Sequence, residues 1–264
     1  MKGNRHLSID LTVSDDGIAT IVMNRPERMN AFDAEAYKQL SEVWIRVRDD
    51  HAIRVAVITG AGEKAFSAGA DLKDLVPAPP ELHDLWLTQK DQLLNRGLEI
   101  WKPVIAAVNG YCLGGGLTML FATDIRIACH DATFGLSEVK RGVLPGNGAT
   151  QRVIDNVSYP RAMEMLLTGE PIDASKALEW GLINEVVDRA RLMERSLEIA
   201  RQIAANAPLA VQATKELAVR SRSMDLASGL RLEQVLQRIL QTSEDAVEGP
   251  KAFAERRPAV FGGR

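Results

Sequence analysis

What most narrows the folds open to this sequence is a pair of glycine-containing turns, each delivered by a short run of β-branched and small apolar residues. Val55 to Thr59 leads towards Phe66-Ser67-Ala68-Gly69-Ala70-Asp71, and Val104 to Val108 leads into Asn109-Gly110-Tyr111-Cys112-Leu113-Gly114-Gly115-Gly116. Runs this short and this β-branched predict strands covered on both faces, as in a largely parallel sheet. The small residues that follow stand where backbone must approach something closely. Two readings of the second turn stay open. Either it opens a helix near Gly116 whose free N–H groups and positive end face an anion or a developing oxyanion, or the glycines only permit tight strand–helix packing.

The rest of the pattern is that of an α/β chain. Leu7 to Val13 and Ile18 to Met23 flank Ser14-Asp15-Asp16-Gly17, which predicts a hairpin. Asp33 is expected to cap a helix in which Tyr37, Leu40, Val43, Trp44 and Val47 share one face. Ile125 to Ala128 adds a strand, so that strand, glycine turn, helix and strand follow one another as in a βαβ unit. Pro77-Ala78-Pro79-Pro80 breaks regular structure, and an amphipathic segment runs from Leu82 to Ile100. A mobile, substrate-adjacent loop is expected there. From about Thr150 helices dominate, and Ile183 to Val187 is the one segment that reads as a strand. Leu192, Ser196, Ile199 and Ile203 mark one apolar helix face, and Leu232, Val235, Leu236, Ile239 and Leu240 mark a later one. This region is expected to cover a face or to bind a neighbour.

Composition excludes several classes. A chain of 264 residues can bury one full α/β core, so one catalytic domain with an appendage is expected. With a formal net charge of −3 and no basic block denser than Arg256-Arg257, nucleic acid is not an expected partner. No apolar run approaches the ~20 residues of a membrane helix. Met1 to Asp10 is polar and unlike an export signal, which points to the cytoplasm. Cys112 and Cys129 lack CxxC spacing and read as reduced thiols, while His6, His51, His83 and His130 are scattered without ligand spacing, so no metal is expected. Gly60-Ala61-Gly62-Glu63-Lys64-Ala65 fits a loose dinucleotide fingerprint, but Gly69 interrupts the long helix that motif should open. Neither a Walker sequence nor a G-x-S-x-G elbow occurs.

One carboxylate stands out. Glu138 closes Phe134-Gly135-Leu136-Ser137-Glu138, after a presumed strand and before the turn-rich Gly142-Val143-Leu144-Pro145-Gly146-Asn147-Gly148. Held between such turns near Phe134, Leu136 and Val139, it could have the raised proton affinity that a general acid/base needs. The competing reading is an exposed surface glutamate.

Asn24-Arg25-Pro26-Glu27-Arg28-Met29-Asn30-Ala31, Ala68-Gly69-Ala70-Asp71-Leu72-Lys73, Pro103 to Gly116, Thr133 to Glu138 and Ser243 to Arg257 stand in an order and spacing that resembles the crotonase superfamily over almost the whole chain. The resemblance implies a spiral of ββα units over residues 1–190 and a C-terminal helical trimerisation region over 191–264, assembled as a homotrimer or a homohexamer. It implies an acyl-CoA substrate, and no cofactor beyond the CoA that the substrate carries. By the same resemblance Ala70 and Gly115 are the two oxyanion-hole donors, and Arg28, Ala31, Ala68, Ala70, Asp71, Leu72, Lys73 and Gly115 line up with segments that hold the CoA thioester. Typical hydratases of that family place one carboxylate on the helix after the glycine triplet and a second at the position of Glu138; here the first position is Thr118. The setting of Glu138 is similar to that in crotonases acting on aromatic or unusual acyl-CoAs, including hydroxycinnamoyl-CoA hydratase-lyases.

Three functions follow as expectations. The first is an enoyl-CoA hydratase or dehydratase, with Glu138 as acid/base and Thr118 positioning water. The second is a reaction needing one carboxylate, such as double-bond isomerisation, C–C cleavage or thioester hydrolysis. The third is an acyl-CoA-binding subunit without catalysis. The acyl group is not legible, because the pocket wall is expected from Pro77 to Gln92 and from late helices.

Overall fold

The computed structural model describes residues 7–71 and 93–264. The expected loop at Pro77 to Gln92, and with it Leu72 and Lys73, lies outside the described residues. Strands β1 (Ile9–Val13) and β2 (Ile18–Met23) form the expected hairpin, with the Gly17 amide donating to the Ser14 carbonyl at 2.9 Å. Helix α1 (Ala34–Asp49) begins where Asp33 accepts a hydrogen bond from the Ala36 amide at 2.8 Å. It buries Leu40, Trp44 and Val47.

From there the chain repeats one step: a long buried strand, then a short strand that leaves for a second sheet. Strand β3 (Val55–Gly60) is followed by β4 (Ala65–Ser67). Strand β5 (Val104–Val108) is followed by β6 (Tyr111–Leu113) and helix α2 (Gly115–Leu120). Strand β7 (Ile125–Cys129) is followed by β8 (Thr133–Gly135) and helix α3 (Ala149–Asn156). Helix α4 (Tyr159–Thr168), β9 (Ile172–Asp173), α5 (Ala174–Glu179) and β10 (Glu185–Val187) complete the layers. The first sheet has the order β1-β2-β3-β5-β7-β10 and is parallel except for the β1–β2 hairpin. The second has the order β4-β6-β8-β9, with β9 antiparallel. Stepping between the two in register gives the spiral of ββα units.

The uninterrupted apolar runs are explained by burial on both faces. Ala56 and Ile58 of β3 face the main core with Leu40, Trp44 and Phe66. Val55 and Val57 face the other way, onto Leu192, Ala200 and Ala204 of helix α6 (Leu192–Ala204). Beyond α6 lie α7 (Pro208–Arg220), α8 (Leu226–Leu240) and α9 (Glu244–Ala254). Neither α7 nor α8 has a buried residue, whereas α9 buries Asp245 and Ala252. Four strands escaped the sequence reading: β4, β6, β8 as a defined element, and β9. With two or three residues each, they carry no alternation to read. The loose dinucleotide fingerprint at Gly60 to Ala65 leads into β4 and not into a helix.

Candidate active site

The site is built where the tip of the first sheet meets the second. Met29 and Asn30 both adopt left-handed backbone, with φ of 53° and 54°. Buried Asn30 holds that turn: its side chain accepts from the Arg25 amide at 3.0 Å and donates to the Ala65 carbonyl at 2.7 Å. The Ala68 amide donates to the Met29 carbonyl at 3.0 Å, so the segment of Arg28 and Ala31 is tied to the segment of Ala68. Arg28 is exposed and Ala31 buried. Asp71 is buried, and its carboxylate meets Arg25 at 3.4 Å. Arg25 also pairs with Asp33 at 2.9 Å and donates to the Ala31 carbonyl at 2.6 Å.

Phe32 fixes the orientation of Ala70. The Phe32 amide donates to the Gly69 carbonyl at 2.8 Å, and the Asp71 amide donates to the Phe32 carbonyl at 2.9 Å. In a parallel bridge the residue between those two partners points its own N–H away from the bridge. Among the described residues, neither the Ala70 amide nor the Gly115 amide has a hydrogen-bond acceptor. The two are close, since a Cβ on Gly115 would lie 3.5 Å from the Ala70 nitrogen, and one on Gly69 would lie 2.5 Å from the Gly115 nitrogen. Gly69, at φ 84°, is where this approach demands glycine.

Glu138 begins a short 3₁₀ turn, Glu138–Arg141, just after β8. Its Oε1 comes within 3.3 Å of where a Cβ on Gly114 would stand, one residue from the Gly115 amide. Its Oε2 is buried and has no hydrogen-bond partner. Burial pushes the carboxyl above the ordinary glutamate range, against the opposing pull of a backbone N–H and of the Arg141 charge. Thr118 is 1% exposed, and its hydroxyl donates to the Gly114 carbonyl at 3.1 Å. The sequence-predicted Ala70, Gly115, Glu138 and Thr118 thus converge on the Gly114–Gly115 corner.

Two residues near this corner carry more than the sequence reading gave them. Tyr37, read only as part of an apolar helix face, has its hydroxyl 3.5 Å from where a Cβ on Gly115 would be. Arg96, not singled out at all, lies over the Tyr37 ring, 4.7 Å from its centroid. For Tyr37 the available signal was a hydroxyl on an otherwise apolar helix face; for Arg96, in an amphipathic segment, there was none. The cysteines are unpaired, and burial pushes the Cys129 thiol up to about 11 and the Cys112 thiol further still, so neither is a ready nucleophile. Among the described residues no group of three His, Cys, Asp or Glu side chains could hold a metal ion, and no helix is long and apolar enough to cross a membrane.

A fold that alternates between two sheets, with two bare amides set beside a desolvated carboxylate, suits an enzyme that stabilises an oxyanion while it moves a proton, and sequence comparison gives the family. Residues 14–264 match the profile of the enoyl-CoA hydratase/isomerase family, and the chain belongs to that family. It is 44% identical over 257 residues to (E)-benzylidenesuccinyl-CoA hydratase of Thauera aromatica, covering 97% of this chain and 100% of the relative. It is 40% identical over 262 residues to carnitinyl-CoA dehydratase of Escherichia coli K12, covering 97% and 99%. The crystal structure of enoyl-CoA hydratase from Bacillus anthracis superposes with a TM-score of 0.90 at 34% identity, covering 97% of this chain and 100% of that one. Hydratase-type, lyase-class chemistry is what this membership supports.

Proposed function

We propose that the protein adds water to 2-enoyl-CoA thioesters, or removes it from 3-hydroxyacyl-CoA thioesters, with the thioester oxygen between the Ala70 and Gly115 amides and Glu138 moving the proton. The observation that carries this reading is the pair of adjacent unbonded amides beside a carboxylate with an unpartnered buried oxygen. Removing the α-proton, or adding water at the β-carbon, passes charge onto the thioester oxygen, and delivering a proton to the α-carbon discharges it; one well-aimed N–H there contributes ~2.7–4 kcal/mol. A desolvated glutamate holds and releases a proton nearer to neutral pH than an exposed one. Thr118, its hydroxyl proton engaged by Gly114, retains a lone pair through which water can be steadied.

The CoA moiety runs along Arg28, Ala31, Ala68 and Asp71 towards Leu72 and Lys73. Asp71, already facing Arg25, acts there by shaping the backbone. No cofactor is needed beyond the CoA of the substrate. The protein is cytoplasmic and assembles as a homotrimer or homohexamer through its C-terminal helices. In support of assembly, Leu226, Leu230 and Ile239 of α8 are exposed, and a groove of about 610 Å³ runs between α7 and α8. Thr118, standing where a second carboxylate is expected, favours isomerisation as the second reading. The test follows the conjugated-thioester absorbance of a 2-enoyl-CoA on mixing with the protein and with Glu138→Gln. Hydration by the first and not by the second supports the assignment. Wild-type protein that leaves 2-enoyl-CoA untouched yet conjugates a 3-enoyl-CoA without water uptake replaces hydration with isomerisation.

A further inference from the structure

We propose that Arg96 is a specificity-determining residue that selects acyl groups bearing a second carboxylate. The inference rests on the acyl-CoA reading above and names its substrate class. Arg96 belongs to the turn Leu93–Leu98, closed by hydrogen bonds from the Arg96 and Leu98 amides to the Leu93 carbonyl. Its guanidinium packs on Tyr37, whose hydroxyl reaches towards Gly115, so Tyr37 links the charge to the Gly114–Gly115 corner.

Two features separate this arginine from the chain's other buried or half-buried ones. Among the described residues Arg25, Arg54, Arg126, Arg152, Arg161, Arg189, Arg195, Arg220 and Arg257 each donate to protein carbonyls or carboxylates. Arg96 donates no side-chain hydrogen bond to a described residue, and its buried Nε has no partner at all. A guanidinium half-removed from water with its donors unmet is costly unless something else accepts from them. Because the residue is only partly buried, its outer nitrogens stay open. That fork matches a carboxylate in two parallel hydrogen bonds.

The turn is also held in place. Arg152 donates to the Asn95 carbonyl at 3.0 Å and approaches the Asn147 carbonyl at 3.4 Å, linking Arg96's turn to the loop that follows Glu138. A cation so fixed attracts an anionic acyl tail, accepts a neutral one without gain and repels a quaternary ammonium.

The test uses saturated, unreactive thioesters, so that it reads recognition separately from turnover: a CoA monothioester of a dicarboxylic acid and the methyl ester of the same compound. Calorimetry gives the ratio of their dissociation constants for the wild-type protein, for Arg96→Met and for Arg96→Gln. The expected result is a wild-type preference for the free acid that falls roughly tenfold or more in both variants, the scale of a hydrogen bond to a charged group. No wild-type preference, or a preference unchanged in either variant, overturns the proposal. Failure of the hydration assay with the preference intact would count against the hydratase reading alone.

Discussion

The two ends of helix α2 finish in opposite ways, and the difference separates what holds the fold from what acts. At the C-terminal end, the Leu120 carbonyl accepts from the Thr123 amide and hydroxyl, and the Phe121 and Thr123 carbonyls accept from Arg126. All three guanidinium nitrogens of Arg126 donate, one of them to the Leu182 carbonyl ahead of β10. Burial lowers the Arg126 pKa to about 10, which still leaves it charged at neutral pH. At the N-terminal end of this six-residue helix, the Gly115 amide is bare and Glu138 stands beside it with an unpartnered oxygen. In α2 the polar groups are saturated at the end that is locked into the core and left open at the end where the proposed reaction takes place.

The strongest way to break this comparison is Glu138→Gln. It keeps the shape and removes the exchangeable proton, and turnover of a 2-enoyl-CoA is expected to fall by about 10²–10⁴-fold, with the thermal midpoint held or raised. A stable variant with full activity would mean that the open end of α2 is not the reacting end. Arg126→Met should do the reverse. It strands the Leu182, Phe121 and Thr123 carbonyls in the core, and urea unfolding should show a loss of about 3 kcal/mol. Protein that survives folding should keep its turnover.

Gly114→Ala sharpens the boundary between the two ends. Gly114 has φ 52° and ψ −123°, a conformation that glycine alone adopts freely, and an added Cβ would press on Glu138 Oε1 at 3.3 Å. The backbone strain is about 1–3 kcal/mol. Steady-state kinetics should show kcat depressed more than the unfolding free energy accounts for, because the methyl displaces the carboxylate as well as straining the turn.

Part of this was legible in the residues. Asp33 announced α1, and the buried strands β3, β5 and β7 were readable because short runs rich in Val, Ile and Ala leave few alternatives. The glycine turns and Glu138 were readable as candidates, and the family's ordered motifs turned candidates into a set. What escaped is non-local. Strands β4, β6 and β8 are defined by pairing with one another across gaps of tens of residues, which no local period records. The bareness of the Ala70 amide depends on Phe32 bridging its two neighbours. The saturation of Arg126 depends on Leu182, and the Arg96–Tyr37 stack on a contact between segments far apart in sequence. Arg126 and Arg96 look alike as letters; only their partners distinguish a structural charge from an open one.

The smallest expected effect follows from the Glu138 environment and tests the same contrast thermodynamically. Burial raises this carboxyl in the folded protein above its unfolded value. The folded state therefore binds the proton more tightly, so the group penalises the fold once pH exceeds the unfolded pKa, growing until the folded pKa is passed. Glu138→Gln removes a charge that the fold disfavours. The variant should unfold at higher denaturant concentration than the wild type at neutral pH, and the gap should close as pH drops below the ordinary glutamate range. A variant less stable at neutral pH would show that the Glu138 carboxylate is satisfied after all, as Arg126 is, and the two ends of α2 would no longer differ in kind.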